Sequence, residues 1–489
     1  MVASASAHLT LWDVGPQQLQ VRFDSGQVVT DTGLLAVRAL ERPLRVIADL
    51  AQRLPDPRSP DYIRHSLETL LTQQVYQILA GYPDCNDAQS LRHDPLFQIL
   101  ADLSPDTEQP LACAATLTRF QYAYSRRQLA DDDDGTKVLL LRRAARIQRL
   151  RVLNDYLVDL FIRTRRTAPT EVILDSDASD DPTHGQQQLS GYHGYYEQHQ
   201  YFPLFVFDGV SGMPLAAWLR PGTVHASCGA VDILHALVRR LRAAWPGVVI
   251  RVRADNGFGV PEVYDFCEQQ GLPYAIGYAS NAVLQRATAC AADDVELYYA
   301  FYGYRDPWVQ RFEVVRDYQA ESWPHPRRIV AKIERTPQGS QRRFVVTNLT
   351  DPPEVVYREF YTQRGAIPEQ PLGELKNGLR AERLSACGFC ANAFRLLLHV
   401  VAYAIVVLFR AATASVPEVA RATVGTLRQR LWKVGAVLEC GPRRLVLHVS
   451  ATWPDAGLWR RVAEAVQVYV DQVVGRGTGP PAPTPSLGR

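Results

Sequence analysis

A second cysteine pair is missing from this chain. Its eight cysteines are scattered singly except for Cys387 and Cys390, and a structural zinc needs four ligands at finger spacing, so no zinc finger is read here. The start, MVASASAHLTLWDV, lacks a basic stretch followed by an apolar one. No export signal is therefore read, and a reducing cytoplasm is the expected location. Long apolar runs are also lacking. The most apolar one, residues 396–409, contains His399 and follows Arg395; it is too short to span a bilayer and reads as a buried helix. Nor is there an excess of one charge: 53 Lys and Arg against 51 Asp and Glu leave +2, so any nucleic-acid footprint must be local. No internal repeat is visible.

What is present is ordinary globular material. Hydrophobic residues make up 47% and charged residues 21% of 489 residues, enough for a large core with attached pieces. The stretch 475–489 (GRGTGPPAPTPSLGR) is rich in Pro and Gly, has no apolar period, and is expected to be a disordered tail. Arginines cluster locally, as Arg142, Arg143, Arg146, Arg149 and Arg151, then Arg163, Arg165 and Arg166, then Arg239, Arg240 and Arg242. Each cluster fits a solvated helix face as well as a phosphate contact. The acidic run Asp131 to Asp134 reads as a solvated loop, because adjacent carboxylates on a flexible segment repel one another.

Periodicity divides the chain. Residues 1–166 read as a mainly helical region, with apolar residues at i, i+3, i+4 and i+7 from Thr32 onward. At Pro169 the pattern changes to alternation. EVILDSDAS, the two halves of YFPLFVFDGVSGMPLAAWLRPG, VVIRVRAD and PYAIGYA are predicted strands, with helices at AVDILHALVRRLRAAW and PEVYDFCEQQG. Residues 167–285 thus form the first part of a mixed α/β core. Strand-like runs, including VELYYAFYGY, fill 286–354 as a β-rich insertion. Helical pattern returns over 355–412 as the second part of the core. A smaller α+β piece with a hairpin turning at Gly441 occupies 413–474.

Carboxylates at strand ends are the chemical signal. Alternation puts Asp175 and Asp177 on one face near the end of the first core strand, and VVIRVRAD ends at Asp255. Acidic side chains deep in apolar strands are costly unless paired, hydrogen-bonded or bound to a cation; turn formation past the strand end is the other reading of this pair. A third acid lies in YTQRGAIPEQPLGELKNGL, where Glu369 and Lys376 are seven residues apart and share a face if the helix is continuous. Tyr361 and Arg364 precede them. His184 reads as a turn residue. Trp323 fits burial and base stacking equally.

In their order and spacing these segments, together with GYPDCNDAQSLRHDP, LRPG, SWPHPRRIVAKIE, RFVVTNL and ANAFRLLLHVVAYAIVVLFR, resemble the DDE transposases of bacterial insertion sequences. The similar group is the one whose last acid sits in a Tyr-x2-Arg-x3-Glu-x6-Lys signature and which is related to piggyBac elements. The resemblance implies an RNase H-like mixed-sheet catalytic core interrupted by the β-rich insertion. It implies Asp177, Asp255 and Glu369 as catalytic metal ligands for two Mg2+ ions, with Mn2+ as a substitute, and Tyr361, Arg364 and Lys376 as contacts to DNA phosphate. It further implies terminal inverted repeats and target DNA as partners, a homodimer or larger homo-oligomer on DNA, a nucleoid-associated location, and DNA binding and assembly for 1–166. One departure stands out: four residues, not three, separate Arg364 from Glu369, and Pro368 takes the counted place of the acid. Asp175 and Glu374 are accordingly the alternative ligands. Two other functions stay open, a DDE-fold nuclease without strand transfer and a catalytically inactive DNA-binding derivative.

Overall fold

The computed structural model describes residues 8–14, 16–22, 25–56, 58, 60–106, 109–122, 135–165, 167–364 and 371–474. The acidic run Asp131 to Asp134, Pro368, Glu369 and the tail from 475 lie outside them. Along the chain the strands are β1 (His8–Val14), β2 (Gln17–Arg22), β3 (Gln27–Val29), β4 (Glu171–Ala178), β5 (Asp181–Pro182), β6 (Gly191–His193), β7 (Gln198–Tyr201) and β8 (Leu204–Asp208). They continue as β9 (Pro214–Trp218), β10 (Val249–Ala254), β11 (Tyr274–Tyr278), β12 (Val309–Tyr318), β13 (Arg327–Thr336), β14 (Gly339–Thr347), β15 (Ala436–Gly441) and β16 (Arg444–Val449).

Two compact units result. One combines Met1–Ala51, Arg58–Phe120 and Phe409–Gly475; the other combines Gln52–Pro57, Gln121–Leu408 and Arg476–Arg489. In the first, β3 pairs antiparallel with β15, which pairs with β16, so an N-terminal strand completes the C-terminal hairpin. Strands β1 to β3 were not expected from the sequence. The Leu67–Ala80 helix starts on Ser66, whose hydroxyl accepts from the Thr69 amide, and stops at Gly81 in the left-handed region, the residue type that bears such a φ without strain.

The second unit is a mixed α/β fold around an eight-stranded sheet in the order β12-β13-β14-β11-β10-β4-β8-β9. β10 runs parallel to β4 and to β11, and all other neighbours are antiparallel. The central strands are buried on both faces, as their Val, Ile and Phe content dictates. β14 hydrogen-bonds to β11, so β12 to β14 extend the same sheet. The predicted strand over 295–304 is instead mostly helix, Ala289–Tyr302. Ala291 and Ala292, with Val295 one turn on, pack on Ile333 of β13. The aromatic content that suggested a strand faces outward, with Phe301 and Tyr302 exposed.

The buried apolar run is confirmed as a helix, Phe389–Ala412, longer than its apolar centre. By length and composition it passes for a membrane span, yet 94% of its apolar window is buried in the fold. Several of its polar residues bond locally. Asn392 exchanges hydrogen bonds with the Ala386 backbone, Arg395 donates to Ser385, and His399 Nδ1 meets the Arg395 carbonyl at 2.9 Å.

Candidate active site

Parallel pairing of β4 and β10 sets Arg253 opposite Asp175 and Ala254 opposite Ser176. Asp255 therefore leaves its strand beside Asp177, at the carboxyl end of both, where α/β sheets open toward ligands. Asp255 caps the short helix Asn256–Phe258, accepting from the Gly257 amide at 2.9 Å. Burial pushes the Asp177 carboxyl up to about 6; Arg364 opposes this, and the charges of Asp255 and Asp175 reinforce it. Two carboxylates ending neighbouring parallel strands, the charge of one raising the cost of ionising the other, gain from a cation between them.

Asp175 has another task. Arg253, almost wholly buried, donates from Nε and Nη2 to its two oxygens at 2.6 and 2.7 Å, and from Nη1 to the Phe360 carbonyl at 2.8 Å. A bidentate guanidinium takes up the oxygens that a metal would need. Gly209 makes room for this pair, since a Cβ there would stand 2.4 Å from Arg253 Nη2 and 2.7 Å from Asp175 Oδ2.

The Arg253 bond to Phe360 also places the next functional residues. Val356, Tyr357 and Phe360 pack with Ile173, Ala275, Val330 and Val345 on one sheet face. The chain then turns through Tyr361–Gln363 to Arg364. Arg364 Nη1 lies 3.9 Å from Asp177 Oδ2 and, though buried, has no hydrogen-bond partner among the described residues. Tyr361 lies over bare backbone: a Cβ on Gly277 would come within 2.7 Å of its hydroxyl. Burial raises the Tyr361 pKa, Arg364 lowers it, and Asp255 and Asp177 raise it, so all four groups share one electrostatic neighbourhood.

Lys376 is on Glu374–Gly378, a wide helical turn that follows directly on the helical Pro371–Gly373. Its ammonium donates to Ser179 Oγ, the Asp180 carbonyl and Asp180 Oδ1, all within 3.0 Å. Burial works against ionised Asp180, but the Lys376 bond and charge, with Gln198 and Ser179, hold its carboxyl below the usual value. Neither Asp180 nor Gln198 was singled out from sequence; a lysine seven residues past an acid gives no hint of a partner nearly two hundred residues upstream. Glu374 is buried. Glu369 lies outside the described residues.

Other candidates resolve plainly. His184 is exposed. Trp323 is buried against Tyr264, Tyr278 and Tyr318, which decides for packing. The arginine clusters are partly committed within the fold. Arg240 pairs with Asp155 and Asp159, Arg165 with Asp208, and Arg242 donates to the Gln270 carbonyl, while Arg149 lies over the Phe394 ring.

A second acidic group, Asp265, Glu268 and His325, has ligand atoms within 4.8 Å of one another. Buried Arg327 donates to both carboxylates, and the Tyr274 hydroxyl adds a bond to Glu268 at 2.8 Å. The guanidinium already supplies the positive charge that a metal would bring, so this is a structural ion pair.

No curated protein matches the chain. Among solved structures, a piggyBac transposase synaptic complex with hairpin DNA is similar at 11% identity and a TM-score of 0.39, over 93% of this chain and 83% of that one. The family pattern described as transposase DDE domain group 1 matches residues 13–470. That span takes in both strand-end aspartates and the whole segment from Tyr361 to Lys376, and the chain belongs to this DDE transposase family.

Proposed function

We propose that this protein is a DNA transposase of the bacterial insertion-sequence type, which binds the terminal inverted repeats of its element, cleaves the ends and joins the freed 3′ hydroxyls to target DNA. The observation that carries the reading is that Asp177 and Asp255 end adjacent parallel strands, beside an arginine whose buried Nη1 has no hydrogen-bond partner among the described residues. Asp177 is preferred to Asp175 because Arg253 engages both oxygens of the latter. The donors are hard oxygens and suit Mg2+ or Mn2+. Asp177 and Asp255, with Glu369 or alternatively Glu374, would hold two ions, which supply activation of the attacking oxygen and stabilisation of the departing one.

The chain's own side chains do the positioning. Arg364 presents a planar fork to a phosphate, and Tyr361 backs it with a hydroxyl. Lys376, its three donors engaged, acts on phosphate by fixing the loop after β4 against the Glu374–Gly378 turn. Both steps are in-line displacements at phosphorus. Water attacks first and the 3′ oxygen leaves; that 3′ hydroxyl then attacks a phosphodiester of the target DNA, whose own 3′ oxygen leaves. The sheet from β4 to β11 is the RNase H-like core of this reading, β12 to β14 its insertion, and 1–166 its DNA-binding and assembly region. Incubating the full chain with DNA carrying the element's ends, with and without Mg2+, tests it. Nicking without joined product favours a nuclease, and binding without nicking favours an inactive derivative.

A further inference from the structure

Between Asp181 and Tyr201, directly after the strand that carries Asp177, the chain folds into a small three-stranded sheet. β5 pairs with β7 through Asp181 and Tyr201, and β7 pairs with β6 through Tyr192 and His199 and through His193 and Gln198. Gln198 Nε2 donates to Asp180 Oδ2 at 3.1 Å, and Asp180 is the carboxylate gripped by Lys376. The hairpin is thus moored to the site by the same acid that fixes the loop.

Its tip is aromatic. Tyr196 leans on His193 with ring centroids 5.2 Å apart, and Tyr195 stands edge-on to Tyr196 at 5.0 Å. Tyr195 is 84% exposed and makes no other ring contact among the described residues. Burial raises the Tyr196 pKa, and the charges of Asp180, Asp255 and Asp177 add to the rise, which sets the tip within electrostatic reach of the two strand-end aspartates. The residues 186–202 contain no Lys or Arg, and their one acid is Glu197. Such a surface repels phosphate and offers π-faces, so it fits a nucleobase rather than a backbone.

We propose that Tyr195, supported by Tyr196 and His193, stacks on an unpaired base next to the phosphate held at Asp177 and Asp255. Base pairing beside that phosphate must open before the strand end can reach the carboxylates, and the exposed ring takes the freed base. The proposal rests on the transposase reading above. Tyr195 is a positioning residue, since it touches a base and not the reacting phosphate.

The test uses the full chain and end DNA with 2-aminopurine at the nucleotide flanking the cleaved phosphate. Base stacking on an aromatic side chain supports about a tenfold loss of cleavage in Tyr195→Ala. Tyr195→Phe, which keeps the ring, should stay within about twofold of the natural protein. The 2-aminopurine fluorescence should change on binding the natural protein and the Phe variant, and not on binding the Ala variant. Normal cleavage and a normal fluorescence change in Tyr195→Ala overturn the stacking role alone, and so does a Phe variant as impaired as the Ala variant. A natural protein that neither binds nor cleaves end DNA overturns the transposase reading, and this inference with it.

Discussion

Asp175 and Asp177 share a strand, a face and a charge, yet their surroundings give them opposite duties. Asp175 neutralises a buried arginine that also holds the Phe360 carbonyl. Removing one partner of a buried pair typically costs about 3–5 kcal/mol, because the other charge is left uncompensated. Asp175→Asn should therefore lower the denaturant midpoint strongly. Asp177→Asn should leave it unchanged or raise it, since burial already disfavours the charged carboxyl. Equal midpoints for the two variants would contradict the division. Asp180 and Lys376 make a second residue-level case. If their bond fixes the loop after β4, Asp180→Ala and Lys376→Ala should each slow cleavage, and the double variant should be no slower than the worse single one. Additive losses would mean that the two side chains act separately.

At the level of elements, how much the sequence disclosed depended on periodicity. β4 and β10 were legible because the apolar run Val172 to Leu174 and the alternation Ile250, Arg251, Val252, Arg253 each lead to a carboxylate at the strand end, Asp177 and Asp255. β5 to β7 were not, because two to four polar and aromatic residues carry no period and are ordered by pairing alone. Val295 to Tyr302 deceived through its tyrosines, whose exposure no pattern announced. Within the site, the two strand-end aspartates were legible, whereas the Arg253 partnership depends on a register that only folding fixes. The buried helix Phe389–Ala412 permits a pH test. Burial lowers the His399 pKa to about 4, from an ordinary 6.5, although the Arg395 carbonyl favours the protonated ring. Between these values the unfolded chain takes up a proton that the folded chain refuses. Stability should thus be constant from this group above pH 6.5, fall as pH drops toward about 4, and lose nothing further below. The integrated loss is on the order of 3 kcal/mol. His399→Leu should remove that part of the acid dependence, seen as a smaller shift in denaturant midpoint between pH 7 and pH 5. An unchanged shift would show that other groups carry it.

For the whole molecule, a net charge of +2 means that DNA must be held by local groups. Arg165, Arg240 and Arg242 are engaged inside the fold, so they contribute to architecture first. Affinity for end DNA should still fall as salt rises, through counterion release. Arg240→Ala should leave the slope of log affinity against log salt unaltered; a slope reduced by about one would place that side chain on a phosphate.

Two strand-end aspartates and a downstream glutamate are the residues proposed to make this chain a metal-dependent DNA-cutting enzyme. The most direct measurement is Mg2+-dependent cleavage of end DNA by the natural protein and by Asp177→Asn, Asp255→Asn, Glu369→Gln and Glu374→Gln, with DNA binding followed in parallel. Cleavage should require Mg2+, be abolished in the first three variants with binding retained, and be preserved in Glu374→Gln. Exchange of the two glutamate results would move the third ligand to Glu374. Cleavage at the natural rate by Asp177→Asn or Asp255→Asn would contradict the account.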